Sequence, residues 1–213
     1  MIEGYNSRFS SVMSNIPPVV KNIIIINVIL FLGTLLVKEP MYERLALFPL
    51  GSYFFRPYQL VTHMFMHGGF WHIFFNMYTL FFFGCVLERV WGSKKFLLYY
   101  FVTGLGAAAC HLLVLYLQGN TLNIPTVGAS GAIYGLLLAY GMLFPNNRLT
   151  IIFPIPIVLK AKWFVLIFGC IELLTGFSGI SDGVAHFAHL GGMIFGVFLI
   201  LHWKKKNRMY TEY

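Results

Sequence analysis

Charge is what this chain has least of. Only 10% of its 213 residues are Asp, Glu, Lys or Arg, against 58% hydrophobic, where a soluble domain carries about 25% charged residues. Too few polar side chains remain to cover a water-soluble globule, which excludes a soluble enzyme or binding module. Acids are scarcest, seven in all, and the three cysteines, Cys85, Cys110 and Cys170, stand far apart inside apolar runs. They indicate neither a disulfide framework nor a metal site and read as small helix-packing residues. No HExxH metalloprotease motif occurs, and the polar N-terminal stretch has no apolar core of the kind a signal peptide needs. The formal net charge of +8 is spread between the apolar runs instead of forming a basic patch, so nucleic acid is not an expected partner.

What is there is a series of six apolar segments: Ile23–Val37, Gly69–Leu87, Phe96–Leu117, Ser130–Phe144, Trp163–Gly176 and Val184–Trp203. They predict an all-α, polytopic membrane protein. Its parts read as a leading arm over 1–21, a six-helix domain over 22–203 and a basic tail over 204–213. Several segments are shorter than the roughly 20 residues that cross a bilayer core of about 30 Å, and short spans belong inside a bundle. Twelve of the fifteen basic residues lie before the first segment, between the second and third, between the fourth and fifth, or after the sixth. By the positive-inside rule both termini are cytoplasmic. The first outer connection, residues 38 to 66, is rich in aromatics and prolines and predicts an interfacial element lying partly in the outer leaflet.

Polar groups inside membrane helices are costly, and each is a functional candidate. The stretch "TVGASGAIYG" sets Ser130 between Gly128 and Gly131 where the fourth helix begins. One reading is a capped helix start. The other is a nucleophile on a helix N-terminus. Ser130 and His189 each stand fifteen residues before an inner boundary, at Pro145 and Lys204. Both therefore lie roughly 22 Å above the inner interface and about 10 Å below the outer one. In "HIFFN" of the second helix, His72 and Asn76 share one face in the same layer. Gly131, Gly135 and Ala139, like Ala188, Gly192 and Gly196, repeat at a spacing of four, the small-residue seam that lets helices approach closely in lipid. His189 projects on the side of Gly192 and Gly196, so the fourth and sixth helices bring it to face Ser130. His186, one turn higher, is the rival base. His63, His67, Gly68 and Gly69 read as a polar vestibule above the pair, or else as an interfacial helix start.

These residues resemble the rhomboid intramembrane serine proteases. "GASG" around Ser130 is similar to that family's GxSG motif, "HIFFN" to its HxxxN motif, "AHFAHLGGMIFG" to its last helix, and "ERVWGSKKF" to the turn between its second and third helices. The resemblance covers about residues 55 to 200. It implies a Ser130–His189 dyad with no acidic third member. Of the seven acids only Glu172 and Asp182 come near the right depth, and neither has a spacing expected to set it behind His189. The resemblance also implies an oxyanion hole made of His72, Asn76 and the N–H groups of Ala129 and Ser130, with Tyr134 packed on the catalytic histidine and Gly128, Gly131 and Gly192 in support. No cofactor or metal is expected. The expected partners are single-span membrane proteins and the bilayer, cut near the outer face after a small residue. Where many members carry Trp-Arg in the first loop, this chain has Tyr58 and Gln59, which leaves Arg56 as a substitute anchor. The lack of a seventh helix or an organelle-targeting segment points to a bacterial inner membrane. Two other readings stand beside this one: a catalytically silent rhomboid-like binder of membrane helices, and a metal or haem protein using His63, His67, His186 and His189, which lacks a carboxylate beside the histidine pairs.

Overall fold

The computed structural model describes residues 16–119, 124–151, 157–178 and 183–206. The leading arm before residue 16, residues 120–123, 152–156 and 179–182, Asp182 among them, and the tail beyond residue 206 lie outside the described residues. Every expected segment forms a helix. They are α1 (Pro18–Leu36), α4 (Phe70–Trp91), α5 (Ser93–Leu117), α6 (Ser130–Leu143), α7 (Ala161–Ser178) and α8 (His186–Lys205). Two short helices, α2 (Lys38–Leu45) and α3 (Gln59–Thr62), punctuate the first connection. All the spans but α6 are long and apolar enough to cross a membrane. With 14 residues, α6 is only about 21 Å long, shorter than a bilayer core of about 30 Å.

The surface of the bundle is inverted relative to a soluble protein. Ile29, Leu32 and Leu36 of α1 and Phe198 and Leu201 of α8 are exposed, while Asn27, Gln59, Glu88, Glu172 and His189 are buried. A lipid solvent accepts the first set, and the second must find its hydrogen bonds inside the protein. Cys85 is buried and Cys110 lies against Gly191, as helix-packing residues should, but Cys170 is exposed on α7. Between α6 and α7 the chain adds a feature that apolar periodicity does not reveal. It is an antiparallel hairpin of β1 (Arg148–Ile151) and β2 (Ile157–Lys160), with Arg148 opposite Lys160.

The first helix begins at Pro18, earlier than the boundary at residue 22, and the cause is a long-range cap. Proline at the first helical position fits its fixed φ and missing N–H, but α1 has no side-chain cap from its own flank. Glu88, near the far end of α4, supplies it. Its carboxylate oxygens accept from Val19 N at 3.0 Å, Val20 N at 2.8 Å and Ser93 Oγ at 2.7 Å. Glu88 is itself only 2% exposed.

A π turn at Leu80–Gly84 makes this reach feasible. On a straight α-helix Asn76 and Glu88 would point about 120° apart, since each residue turns the helix by about 100°. An i to i+5 turn takes up one extra residue, which brings them to within about 20°. Both side chains are accordingly buried.

The centre of the bundle is where α8 packs on α5 and α6. Here glycine is required by closeness. A Cβ on Gly192 would stand 1.9 Å from the carbonyl oxygen of Gly131, and one on Gly131 would stand 2.4 Å from Ala107 Cβ. The spacing-of-four seam on α6 is thus divided. Gly131 meets both α8 and α5, while Gly135 faces Thr103 of α5 and accepts from Tyr99 Oη at 2.9 Å. Below it, Trp91, Tyr99 and Trp203 pack as an aromatic cluster, with Trp91 and Tyr99 centroids 4.8 Å apart.

Glu88→Ala leaves two backbone N–H groups without their carboxylate in a region closed to water. Hydrogen bonds to a charged group are worth about 1.5–3 kcal/mol each. The expected result is a clear fall in the thermal unfolding temperature in detergent, and Glu88→Gln, which keeps an acceptor, should lie between. An unchanged transition in Glu88→Ala would show that α1 does not depend on this cap.

Candidate active site

Ser130 is the first residue of α6, preceded by Ala129 with φ −75° and ψ −7°, and no side chain caps this helix. The capping reading of Ser130 therefore fails. Its hydroxyl is turned elsewhere, with Oγ 2.8 Å from Nε2 of His189. The first N–H groups of α6 are left without a side-chain acceptor, and the positive end of the helix dipole adds to their attraction for an anion. Gly128 sets the approach. Its φ of +137° is one that other residues rarely adopt, and a Cβ there would come within 2.9 Å of His72 Nε2. Its N–H donates to His63 O at 3.0 Å, tying the serine segment to the first connection.

His189 lies in the first turn of α8 and is 7% exposed. Its ring stacks on Tyr134, with centroids 4.2 Å apart and planes 8° from parallel. The rival base, His186, makes a different contact. Its Nδ1 lies 2.6 Å from Glu172 Oε2 and 3.0 Å from Thr175 Oγ1.

The other ring nitrogen of His189 brings a correction. Nδ1 is 3.0 Å from Glu172 Oε1, although the N–H direction is too far off line for a well-formed hydrogen bond. Glu172 Oε1 also accepts from Tyr134 Oη. An acid thus stands behind the histidine, where sequence spacing had set none. The relation runs between α7 and α8 and depends on how α7 is rolled against α6, which spacing along the chain does not encode. Glu172, His186 and His189 are also the trio among the described residues that could hold a metal ion, so the statement that the histidine pairs lack a carboxylate is corrected too. His63 and His67 do not join them. The helix ends after Phe65 and Met66 is extended, so these two do not share a helical face.

His72 accepts from Gly68 N on Nδ1 at 3.3 Å. In a neutral imidazole this leaves the proton on Nε2, the atom nearest to Gly128. Asn76 uses one of its two amide protons on His72 O, at 2.7 Å. Ser130, His189, His72 and Asn76 all line one cavity of about 820 Å³, together with His63 and His111. Gly68 lines it as well, but His67 is 1% exposed and packs edge-on against His72 at 4.9 Å. Of the vestibule expected above the serine, His63 and Gly68 line the cavity and His67 and Gly69 do not. Desolvation pushes His63 down to about 4, against its backbone hydrogen bonds. Desolvation, with His72 beside it, pushes His67 down to about 3. Both rings are neutral near pH 7, so they bring no positive charge to the cavity.

Three residues with a part in this arrangement were missed in the sequence. Glu172 is one. His111 of α5, whose Nε2 lies 2.8 Å from Thr126 Oγ1, is another. Both are ionisable groups within a span, a signal that was legible. Gln59 is the third. Fully buried, it donates from Nε2 to the carbonyls of Phe54 at 2.9 Å and of Glu43 and Arg44 at 3.3 Å, and accepts from Arg56 N at 3.0 Å. The anchor of the first connection is this neutral amide. The guanidinium of Arg56 reaches the neighbouring carbonyls of Tyr53 and Phe55 and lies over the Tyr53 ring, all within its own turn of chain. A bridge between Leu47 and Thr126 then joins the connection to the strand of chain leading into Ser130.

Residues 55–205 match the family model of the rhomboid domain. The chain belongs to the rhomboid family. It is 31% identical over 157 residues to the putative rhomboid protease YdcA of Bacillus subtilis, covering 72% of this chain and 71% of that protein. It is 30% identical over 147 residues to the rhomboid protease AarA of Providencia stuartii, covering 64% and 52%. It is 28% identical over 139 residues to the mitochondrial rhomboid protein 1 of Saccharomyces cerevisiae, covering 65% and 39%. The chain thus matches about half or less of the length of the last two.

Replacing Gly192 tests the seam directly. Gly192→Ala must push α8 off the Gly131 carbonyl, and overpacking of this kind costs about 1–3 kcal/mol. The expected outcome is a lower unfolding temperature together with slower reaction of Ser130 with a fluorophosphonate, because the 2.8 Å contact opens. Labelling at the rate of the parent protein would show that the seam does not set the Ser130–His189 distance.

Proposed function

We propose that this rhomboid-family protein is an intramembrane serine endopeptidase. The observation that carries the reading is the contact of 2.8 Å between Ser130 Oγ and His189 Nε2, inside a bundle of membrane-spanning helices and at a cavity that can hold water. His189 takes the hydroxyl proton as general base while Ser130 attacks the scissile carbonyl. The developing oxyanion is held by the N–H groups of Ala129 and Ser130 at the uncapped start of α6, with His72 Nε2–H and the second amide proton of Asn76. His189 then protonates the leaving amine, and water from the cavity hydrolyses the acyl-enzyme.

The six-helix domain over 22–203, the cytoplasmic termini and a bacterial cell membrane belong to the same proposal. The distribution of basic residues supports the orientation, and the relative from Bacillus subtilis supports the setting. With this orientation a serine about 10 Å below the outer face reaches only the outer part of a partner's transmembrane helix. A regular helix there hides each carbonyl in an i to i−4 hydrogen bond. The substrate is therefore a single-span protein whose outer third is weakened by Gly, Pro, Ser or Asn.

The test is cleavage of a panel of single-span proteins in liposomes. Ser130→Ala and His189→Ala should each abolish it with the fold retained, while His72→Ala and Asn76→Ala lower kcat by roughly 10- to 1,000-fold, since backbone donors remain. Replacing the helix breakers of a cleaved substrate with Leu should slow its cleavage. A Ser130→Ala variant that still cuts would overturn the assignment of the nucleophile, and a wild type that binds the panel but neither cuts it nor takes up a fluorophosphonate would favour the silent helix-binding reading.

A further inference from the structure

We propose that Glu172 is a positioning residue for His189, so that the site works as a Ser130–His189–Glu172 relay instead of a two-residue dyad. The inference rests on the protease reading of Ser130 and His189. It is drawn from where the carboxylate stands. Oε1 lies 3.0 Å from His189 Nδ1, on the side of the ring opposite to the nitrogen that meets Ser130. The side chain of Glu172 is 7% exposed, so its charge is little screened by water.

Two helices converge on this one carboxylate of α7. Tyr134 of α6 donates its hydroxyl to Oε1, His186 of α8 meets Oε2 at 2.6 Å, and His189 of α8 faces Oε1. Tyr134 therefore does two things at once: its ring lies flat on the His189 imidazole, and its hydroxyl fixes the carboxylate beside that ring. Thr175, one turn along α7, is 3.0 Å from His186 Nδ1 and steadies the second oxygen's partner. The carboxylate is held by groups that do not take part in the reaction, and its remaining direction faces the reacting imidazole.

The chemistry follows from the proton inventory. With Nδ1 protonated and turned to Glu172, Nε2 carries the lone pair that must accept the Ser130 proton. When Oγ bonds to the scissile carbonyl carbon, that proton moves to Nε2 and the ring becomes an imidazolium with both nitrogens protonated. Glu172 stays ionised and takes no proton. In the resting structure the Nδ1–H direction is off line. A cation formed 3.0 Å from a buried carboxylate draws the two together, so the contact is stronger in the transition state than before it, which is the condition for raising kcat. When the C–N bond breaks, the Nε2 proton leaves with the amine and the ring returns to neutral.

A purely structural role would be a buried acid that ties α6, α7 and α8 together. Glu172→Gln separates the two, because the amide keeps the shape and an acceptor for Tyr134 but loses the charge. The experiment measures the full chain in detergent with a transmembrane peptide substrate, recording kcat, KM, the pH profile and the unfolding temperature. The expected result is a fall in kcat of about 10- to 1,000-fold with KM within about threefold and little change in unfolding temperature. The acid limb of kcat/KM should also move, since the charge beside the general base is gone. The other titratable groups around it, His72 of α4, His111 of α5, Tyr134 of α6 and His186 of α8, are the same in both proteins. Glu172→Asp, which keeps the charge, should recover part of kcat and return the acid limb toward its original position. It also carries the test if the Gln variant does not fold.

Ser130→Ala is run alongside. If that variant still cuts, the reading of Ser130 as nucleophile fails. If it is dead while Glu172→Gln matches the parent in kcat and acid limb, the relay alone fails. A Gln variant that loses activity only in proportion to lost stability, with its acid limb unmoved, overturns the proposal as well. So does activity that disappears on chelation and returns with a divalent cation, because Glu172, His186 and His189 would then be metal ligands.

Discussion

The contact between the backbones of Gly131 and Gly192 governs the distances in this site. Apolar side chains gain little from leaving lipid, so helices in a membrane associate through close packing. At this crossing no side chain stands between α6 and α8, since a Cβ on Gly192 would fall 1.9 Å from the Gly131 carbonyl. Ser130 is next to one glycine and His189 stands less than a turn before the other. Each of these side chains is therefore carried by a helix start whose position has no rotamer freedom to blur it. The proton transfer proposed between them needs that rigidity, because an error of about 1 Å is costly in rate.

The two ends of the bundle hold this crossing by unlike means, and in each a buried side chain serves backbone groups from distant sequence. At one end Glu88 caps α1 from α4. At the other, Gln59 gathers carbonyls of the first connection, and the Leu47–Thr126 bridge and the Gly128 N to His63 O bond fasten that connection to the serine segment. Irregular backbone at membrane depth is tolerated only where the protein itself satisfies it. The first connection is consequently part of the site's framework, with its aromatics Tyr53 and Tyr58 left exposed.

In the proposed reaction, charge that appears inside a membrane protein has little solvent to spread into. Fixed groups of both signs stand around Ser130 and His189 to meet it: uncapped N–H groups at the start of α6, donors of α4 on the cavity wall, and a carboxylate of α7 behind the histidine. The stacked Tyr134 ring links them by touching His189 with its face and Glu172 with its hydroxyl.

Much of this was legible in the sequence because it follows from one-dimensional rules. Low charge and apolar run length determined the class and the number of helices. Rise per residue put Ser130 and His189 at one depth, and the spacing of four marked the faces of α6 and α8 that approach. What the tertiary structure decided was every relation that turns on how one helix is rolled against another. The π turn that swings Glu88 to the Asn76 side, the cap on α1, the division of the α6 seam between α5 and α8, the anchoring by Gln59 and the placing of Glu172 behind His189 all belong there. Depth is additive along a helix and can be counted from a boundary. Rotation and crossing angle are fixed only when many side chains pack at once, and no count along the chain supplies them.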